Sequence, residues 1–142
     1  MGAFSNRYVA IKNESAYGTP TGSYFFGEVD DESIQHQYDL LNREDMSRYG
    51  VAKSVTGKEI SMGDVNMAML NDGFTGRLIK GIMGTDSVGT ISSGLYPHTF
   101  TEAGTLPSFT LMVSRENKEH LYKGMVVDSM SVSASLNEYA TM

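Results

Sequence analysis

The sequence predicts a mainly β, antiparallel domain with a single α-helix, and three observations carry that expectation. Apolar and polar residues alternate with period two over several short segments. Clusters of Gly, Ser, Asn and Pro punctuate those segments. One window alone carries the wider spacing of a helix face. The 142 residues are the length of one domain, 1–142, able to bury about two-thirds of its unfolded surface without metal or disulfide staples.

Taken in order, residues 1–23 are expected to form an extended N-terminal arm ending in the turn chemistry of Tyr17-Gly18-Thr19-Pro20-Thr21-Gly22-Ser23, where Pro20 pushes Thr19 to extended geometry and Gly18 and Gly22 permit positive φ. Tyr24 to Val29 reads as a short aromatic strand. Ser33 to Leu41 reads as a second, with Ile34, His36, Tyr38 and Leu40 on one face and Gln35, Gln37 and Asp39 on the other. The pattern then dissolves from Asn42 to Gly57, which is expected to be a long reaching loop.

Alternation resumes over Lys58 to Leu70, but Ile60 and Met62 fall on even positions whereas Val65, Met67 and Met69 fall on odd ones. That parity switch at Gly63-Asp64 predicts a β-bulge. Phe74, Leu78, Ile79 and Ile82 follow at helical spacing, with Asn71 or Asp72 to cap the front and Gly84 to close the back, so a helix is expected over Asp72 to Met83. Thr85 to Pro97 reads as a mobile connection. Strands are expected at His98 to Glu102 and Pro107 to Arg115, then a hairpin turn at Glu116-Asn117-Lys118. The last strand, Glu119 to Leu136, shifts parity near Asp128 and presents Ser129, Ser131, Ser133 and Ser135 as a smooth hydroxyl strip.

Charge is distributed unevenly. Between Glu28 and Asp45 lie seven acids and one base, Arg43, for a net of −6, which is the whole formal charge of the chain; the remaining ten acids and ten bases cancel. One acidic surface repels phosphate, and a basic face with interleaved aromatics is lacking, which argues against nucleic-acid binding. Ten Met, eight Tyr and six Phe with no Trp or Cys describe an adaptable core and remove thiolate metal sites and Cys nucleophiles together. No run approaches the roughly 18 apolar residues of a membrane span, so no membrane partner is expected.

The chemistry-bearing residues do not assemble into a site. His36, His98 and His120 lack the close spacing of helix-borne or finger-type zinc sites. Asp30-Asp31-Glu32 lacks the calcium-loop pattern and reads as a solvated acidic turn. Neither a Gly-x-Ser-x-Gly elbow nor a phosphate-binding loop is present. The expectation is no enzyme, no catalytic residue, no metal and no cofactor. Tyr24, Phe25 and Phe26 keep one alternative open, a carbohydrate-binding or adhesin-type β-sandwich that stacks sugars on exposed rings.

The order of the segments resembles the bacteriophage tail tube proteins. The resemblance is carried by Lys12-Asn13-Glu14-Ser15-Ala16-Tyr17-Gly18-Thr19-Pro20, the acidic stretch from Glu28 to Ser33, a loop after Leu41, a helix after the central strand, and the run Tyr122-Lys123-Gly124-Met125-Val126-Val127-Asp128-Ser129-Met130-Ser131-Val132-Ser133-Ala134. It implies an antiparallel β-sandwich or half-open barrel with one flanking helix, six copies to a ring. Stacked rings would form a tube in the virion through which DNA leaves without specific binding. Partners implied are further copies of the chain and other tail proteins: tape measure, terminator, baseplate and, in a contractile tail, sheath.

Such a channel wall should be polar, poor in Lys and Arg, and acidic. Strand parity nominates Gln35, Gln37, Asp39, Glu59, Ser61, Ser131, Ser133 and Ser135, with Ile34, Tyr38, Leu40, Ile60, Met62, Met130, Val132 and Leu136 facing the core. The reaching loop, with Arg43, Glu44, Asp45, Arg48 and Lys53, is expected to contact the next ring, since stacking contacts propagate without closing.

Overall fold

Three consecutive residues of the first strand, Val9, Ala10 and Ile11, are almost wholly buried, and a strand buried on both its faces must be covered from two sides. The computed structural model describes residues 7–44 and 51–142. Its order is β1 (Tyr8–Ala16), β2 (Thr19–Pro20), β3 (Phe25–Gly27), β4 (Val29–Glu32), β5 (Gln35–Glu44), β6 (Val51–Met62), β7 (Val65–Met67), α1 (Gly73–Met83), β8 (Gly84–Val88), β9 (His98–Glu102), β10 (Phe109–Arg115) and β11 (Lys118–Met125). The protein is mainly β with antiparallel strand pairing, and α1 is the one α-helix among the described residues. The chain divides into two compact units, Met1–Asp30 with Asn66–Met142, and Asp31–Val65. β4 pairs with β7, and the unit boundaries pass through both strands.

In the first unit β1 lies at the centre of the sheet. β10 runs antiparallel along one edge of it, from Tyr8↔Ser114 to Asn13↔Phe109. β3 and β2 share the other, at Val9↔Gly27 and Glu14↔Pro20. The residues expected to form an extended N-terminal arm include this central strand, and Met1–Asn6 lie outside the described residues. Apolar burial holds the strand in place: Val9, Ala10 and Ile11 join Phe109, Val113, Tyr122, Met67 and Phe74 in the core. The ring of Phe74 sits where a Cβ on Gly27 would come within 2.7 Å of it, so only glycine lets the helix settle this close to β3.

α1 matches its sequence signals at both ends. Asp72 has extended backbone angles and its Oδ1 accepts from the Thr75 N–H at 2.8 Å; Gly84, at φ 107°, donates its N–H to the Lys80 carbonyl. These satisfy helix-end groups that would otherwise lack partners.

Three segments differ from expectation. Thr85–Val88 is a strand rather than part of a connection: β8 pairs with β9 from Gly84↔Glu102 to Val88↔His98, and the Gly89 N–H bonds to the Pro97 carbonyl at 2.8 Å. Its polar residues show no alternation because this hairpin is largely exposed. The partner of β10 stops at Met125 rather than Leu136, and its irregularity lies at Lys123-Gly124, opposite Thr110, rather than near Asp128. Beyond it Ser133 bridges Thr141, while Met67 and Met142 exchange backbone bonds of 2.9 and 2.8 Å.

The third is the reaching loop. Residues 42–44 and 51–57 continue β5 and β6 into one long hairpin whose register closes at Glu44↔Val51, leaving 45–50 outside the described residues. Asn, Ser, Arg and Lys hid these strands because neither face is buried. At the other end, Gly63-Asp64 interrupts β6 and β7 where a bulge was expected. The Asp64 carbonyl accepts from Ser33 N–H at 3.0 Å and the Asp64 N–H donates to Ser33 Oγ at 2.9 Å, and a Cβ on Gly63 would lie 2.4 Å from the Ile34 Cα. Close backbone approach sets the break in parity.

Two outcomes check the fold. Circular dichroism should report far less than the one-third helix of an average globular domain. Asp72→Ala should cost about 1 kcal/mol in urea unfolding through loss of the helix cap, with no change in strand content.

Candidate assembly surface

Glu14, in the middle of the Lys12 to Pro20 motif, accepts four hydrogen bonds. Its Oε2 accepts from the Gly18 N–H at 2.8 Å and from Ser108 Oγ at 2.5 Å; its Oε1 accepts from Thr110 Oγ1 at 2.7 Å and from the Gly124 N–H at 2.8 Å. One carboxylate thus ties β1 to its own turn, to β10 and to the irregularity of β11. Partial burial alone would raise its pKa, but the bonds from Ser108, Gly124, Thr110 and Gly18 outweigh that and hold it below the ordinary glutamate value of 4.5. Gly124 stands at φ 69°, and a Cβ there would fall 2.5 Å from the Tyr17 ring, so the motif's aromatic rests on the backbone that its glutamate holds. The motif alone gives Glu14 no role; four donors on one carboxylate are visible only in three dimensions.

The second unit is dominated by the β5–β6 hairpin. Tyr38 is 57% exposed, Leu41 63% and Val55 51%, and Leu40, Ile60 and Met62 are exposed as well. Of the residues expected in a core on this arm, Ile34 alone is buried. Met130 is half-buried and Val132 and Leu136 are exposed in the first unit. A two-stranded hairpin is marginal by itself in water, and here large apolar side chains stand bare on both faces.

Register decides which side chains share a face. Gln35 opposes Met62 and Gln37 opposes Ile60, whereas His36 opposes Ser61 and Tyr38 opposes Glu59. Directly opposed residues lie on the same face. The expected common polar face is therefore divided: Gln35, Gln37 and Asp39 share a face with Ile60 and Met62, and Glu59 and Ser61 share the other with His36 and Tyr38. His36 makes this explicit, with Nδ1 3.1 Å from Ser61 Oγ and Nε2 3.9 Å from Glu59. Parity within each strand was legible; the register between them was not.

Between Tyr38↔Glu59 and Leu40↔Thr56, two residues, Gly57 and Lys58, face Asp39 alone, which is a β-bulge. Past it, Leu40, Asn42, Thr56 and Ser54 continue the His36 face, while Leu41, Arg43, Val55 and Lys53 continue the Gln35 face. Ser131, Ser133 and Ser135 belong to the first unit, in the stretch after β11 that carries no ladder. Asp45 and Arg48 lie outside the described residues.

The aromatic triplet has close neighbours, although Phe26 stays exposed and Tyr24 and Phe25 are half-buried. The Arg77 guanidinium carbon lies 3.3 Å from the Phe25 ring centre, Phe26 meets Tyr8 edge to face at 5.5 Å, and the Lys12 ammonium sits 4.9 Å over Tyr24. In the first unit a cavity of about 790 Å³ opens at the N-terminal end of α1, lined among others by Asn13, Thr75, Arg77, Asp86 and His98. Asn13 Oδ1, Thr75 Oγ1 and Arg77 Nε are buried there without hydrogen-bond partners. His98 and Asp86 bond across it at 2.9 Å. Burial pushes the Arg77 pKa down, partly countered by Asp86.

Exposed apolar side chains on both faces of an arm are the kind of surface that protein interfaces cover. The comparison with known families agrees. The family model described as phage tail tube protein matches residues 5–142, nearly the whole length, and the chain belongs to that family. It is a structural component of the phage tail, assembling with itself and other tail proteins. No curated protein and no solved structure matches the chain.

Replacing Glu14 with Gln should cost about 3 kcal/mol at neutral pH, because hydrogen bonds to a charged acceptor are lost and an amide NH₂ is set against a backbone donor. A glutamate with a lowered folded-state pKa contributes stability above its unfolded value and loses it as pH falls toward the folded one. Urea unfolding should therefore show the gap between wild type and Glu14→Gln at full size near pH 7 and shrinking below 4.5.

Proposed function

We propose that this subunit forms six-membered rings which stack into the tail tube, with the β5–β6 hairpin completing the wall of the DNA conduit. The single observation that carries this reading is the exposure of large apolar residues on both faces of that hairpin. One face suits a neighbour's cover and the other suits a water-filled lumen. The cavity beside α1, with its unpartnered polar atoms, offers a second seat for a neighbouring subunit.

Register selects between the faces. Leu41, Val55, Ile60 and Met62 share one with Gln35, Gln37, Asp39, Arg43 and Lys53, an apolar strip with polar margins of the kind that protein interfaces bury. The other holds His36, Asn42, Ser54, Thr56, Glu59 and Ser61 beside Tyr38 and Leu40, with no Lys or Arg among the described residues. We assign that second face to the lumen. Sliding DNA finds no counter-charge there, and each phosphate left unneutralised keeps its counterions. Of the eight residues nominated from sequence, Glu59 and Ser61 keep a lumen role in this assignment, Gln35, Gln37 and Asp39 move to the covered face, and Ser131, Ser133 and Ser135 lie on the first unit in a stretch that forms no strand.

Single charge reversals test the assignment. Glu59→Lys changes the lumen by about 12 charges per six-membered ring, so tails carrying it should assemble, retain DNA at low salt and release it as salt rises. Asp39→Lys should impair ring or tube formation with no gain in DNA retention. The opposite pattern, with Asp39→Lys trapping DNA inside intact tails, would reverse the faces. Soluble monomers of the unaltered protein at high concentration would remove the tube reading itself.

A further inference from the structure

Next to the last described rung, the hairpin carries a pairing that is unfavourable in an isolated subunit. Arg43 and Lys53 stand directly opposite each other on β5 and β6, on one face, and both are exposed. Like charges at directly opposed positions destabilise a strand pair. Neither side chain is ion-paired with a described residue.

Acids of the opposite sign gather where the chain approaches the same arm. Glu28, Asp30 and Asp31 are exposed, and no Lys or Arg occurs between Glu28 and Asn42. Of the other acids, Glu14 is engaged by four donors, Asp72 as the helix cap, Asp86 with His98 and Glu119 with Tyr8, while exposed Asp39 shares the hairpin face of Arg43 about 13 Å along the strand. Asp30 and Asp31 are adjacent, and neither has a partner among the described residues. From Gln35 to Arg43 the strand rises about 26 Å, while exposed charges are screened over about 8 Å at physiological salt. The acids before the arm therefore cannot neutralise the bases far along it within one copy.

We infer that Arg43 and Lys53 of one subunit seat on Asp30 and Asp31 of a second copy in the adjoining ring. The inference rests on the tube reading above and supplies its stacking partner. Bases at one end of an arm and acids before the other make a head-to-tail contact that repeats without closing, the symmetry a filament requires. A single exposed ion pair contributes little, but six subunits make the contact together, so the pairs act multivalently across each ring junction. The same contact relieves the Arg43–Lys53 repulsion.

The test is charge exchange in the full-length protein. Arg43→Glu with Lys53→Glu, and separately Asp30→Lys with Asp31→Lys, should leave folding by circular dichroism intact while raising the protein concentration needed for tube growth at least tenfold. Mixing the two double variants should restore growth, since the acidic arm of one then meets the basic seat of the other. Wild-type growth should also weaken as salt rises. If either double variant grows tubes like wild type, or if mixing restores nothing, the pairing is wrong. Normal tubes from Arg43→Glu with Lys53→Glu that hold DNA less firmly would place these bases on DNA and overturn it as well. Failure of the wild type to form rings or tubes would remove the tube reading, and this inference with it.

Discussion

The carboxylate of Glu14 is the constraint around which the first unit is organised. It accepts four hydrogen bonds from three separate stretches of chain, two from backbone N–H groups and two from hydroxyls. Burying a charged group costs several kcal/mol unless every lone pair is used, so the bonds and the burial depend on one another. What looks like turn chemistry from Tyr17 to Pro20 is also the means by which β1 is registered against β10 and β11. The irregularity at Lys123-Gly124 has its explanation here, because the Gly124 N–H must turn toward the carboxylate instead of into the ladder.

The second unit obeys the opposite logic. Its hairpin has backbone pairing along its described length but no core of its own beyond Ile34. Side-chain burial normally specifies strand register; here the bulge at Gly57-Lys58 assists. A Cβ on Gly57 would lie 3.2 Å from the Asp39 carbonyl oxygen, so the extra residue fits closely at one position. The bulge preserves the division of faces while the numbering parity on β6 changes, and an apolar strip can continue from Ile60 to Val55.

Legibility in the sequence followed burial. α1 was readable to within one residue, because Asp72 and Gly84 act locally and Phe74 to Ile82 repeat at one period. β9 and β10 were readable because one side of each chain segment is more covered than the other or is bounded by clear turns. Thr85 to Val88 and Asn42 to Gly57 were read as irregular because exposed strands need no alternation, and polar strands look like loops. Gln35, Gln37, Glu59 and Ser61 were grouped by parity alone, yet pairing between strands fixes the shared face, and one bulge suffices to separate odd from even. Glu14 stood in the motif that carried the family resemblance, but its partners Ser108, Thr110 and Gly124 lie about a hundred residues away and no local pattern marks them.

The central place of β1 has a consequence for the order of events during synthesis. Its main neighbour, β10, is made roughly a hundred residues later, which at synthesis rates of about 5 to 20 residues per second leaves β1 waiting for some 5 to 20 s. The hairpin of β5 and β6, by contrast, is local in sequence and can pair as soon as it emerges, since short hairpins form in microseconds. The hairpin of the second unit can thus pair before the first unit has its full sheet, so the two units complete their strand pairing at different times during synthesis.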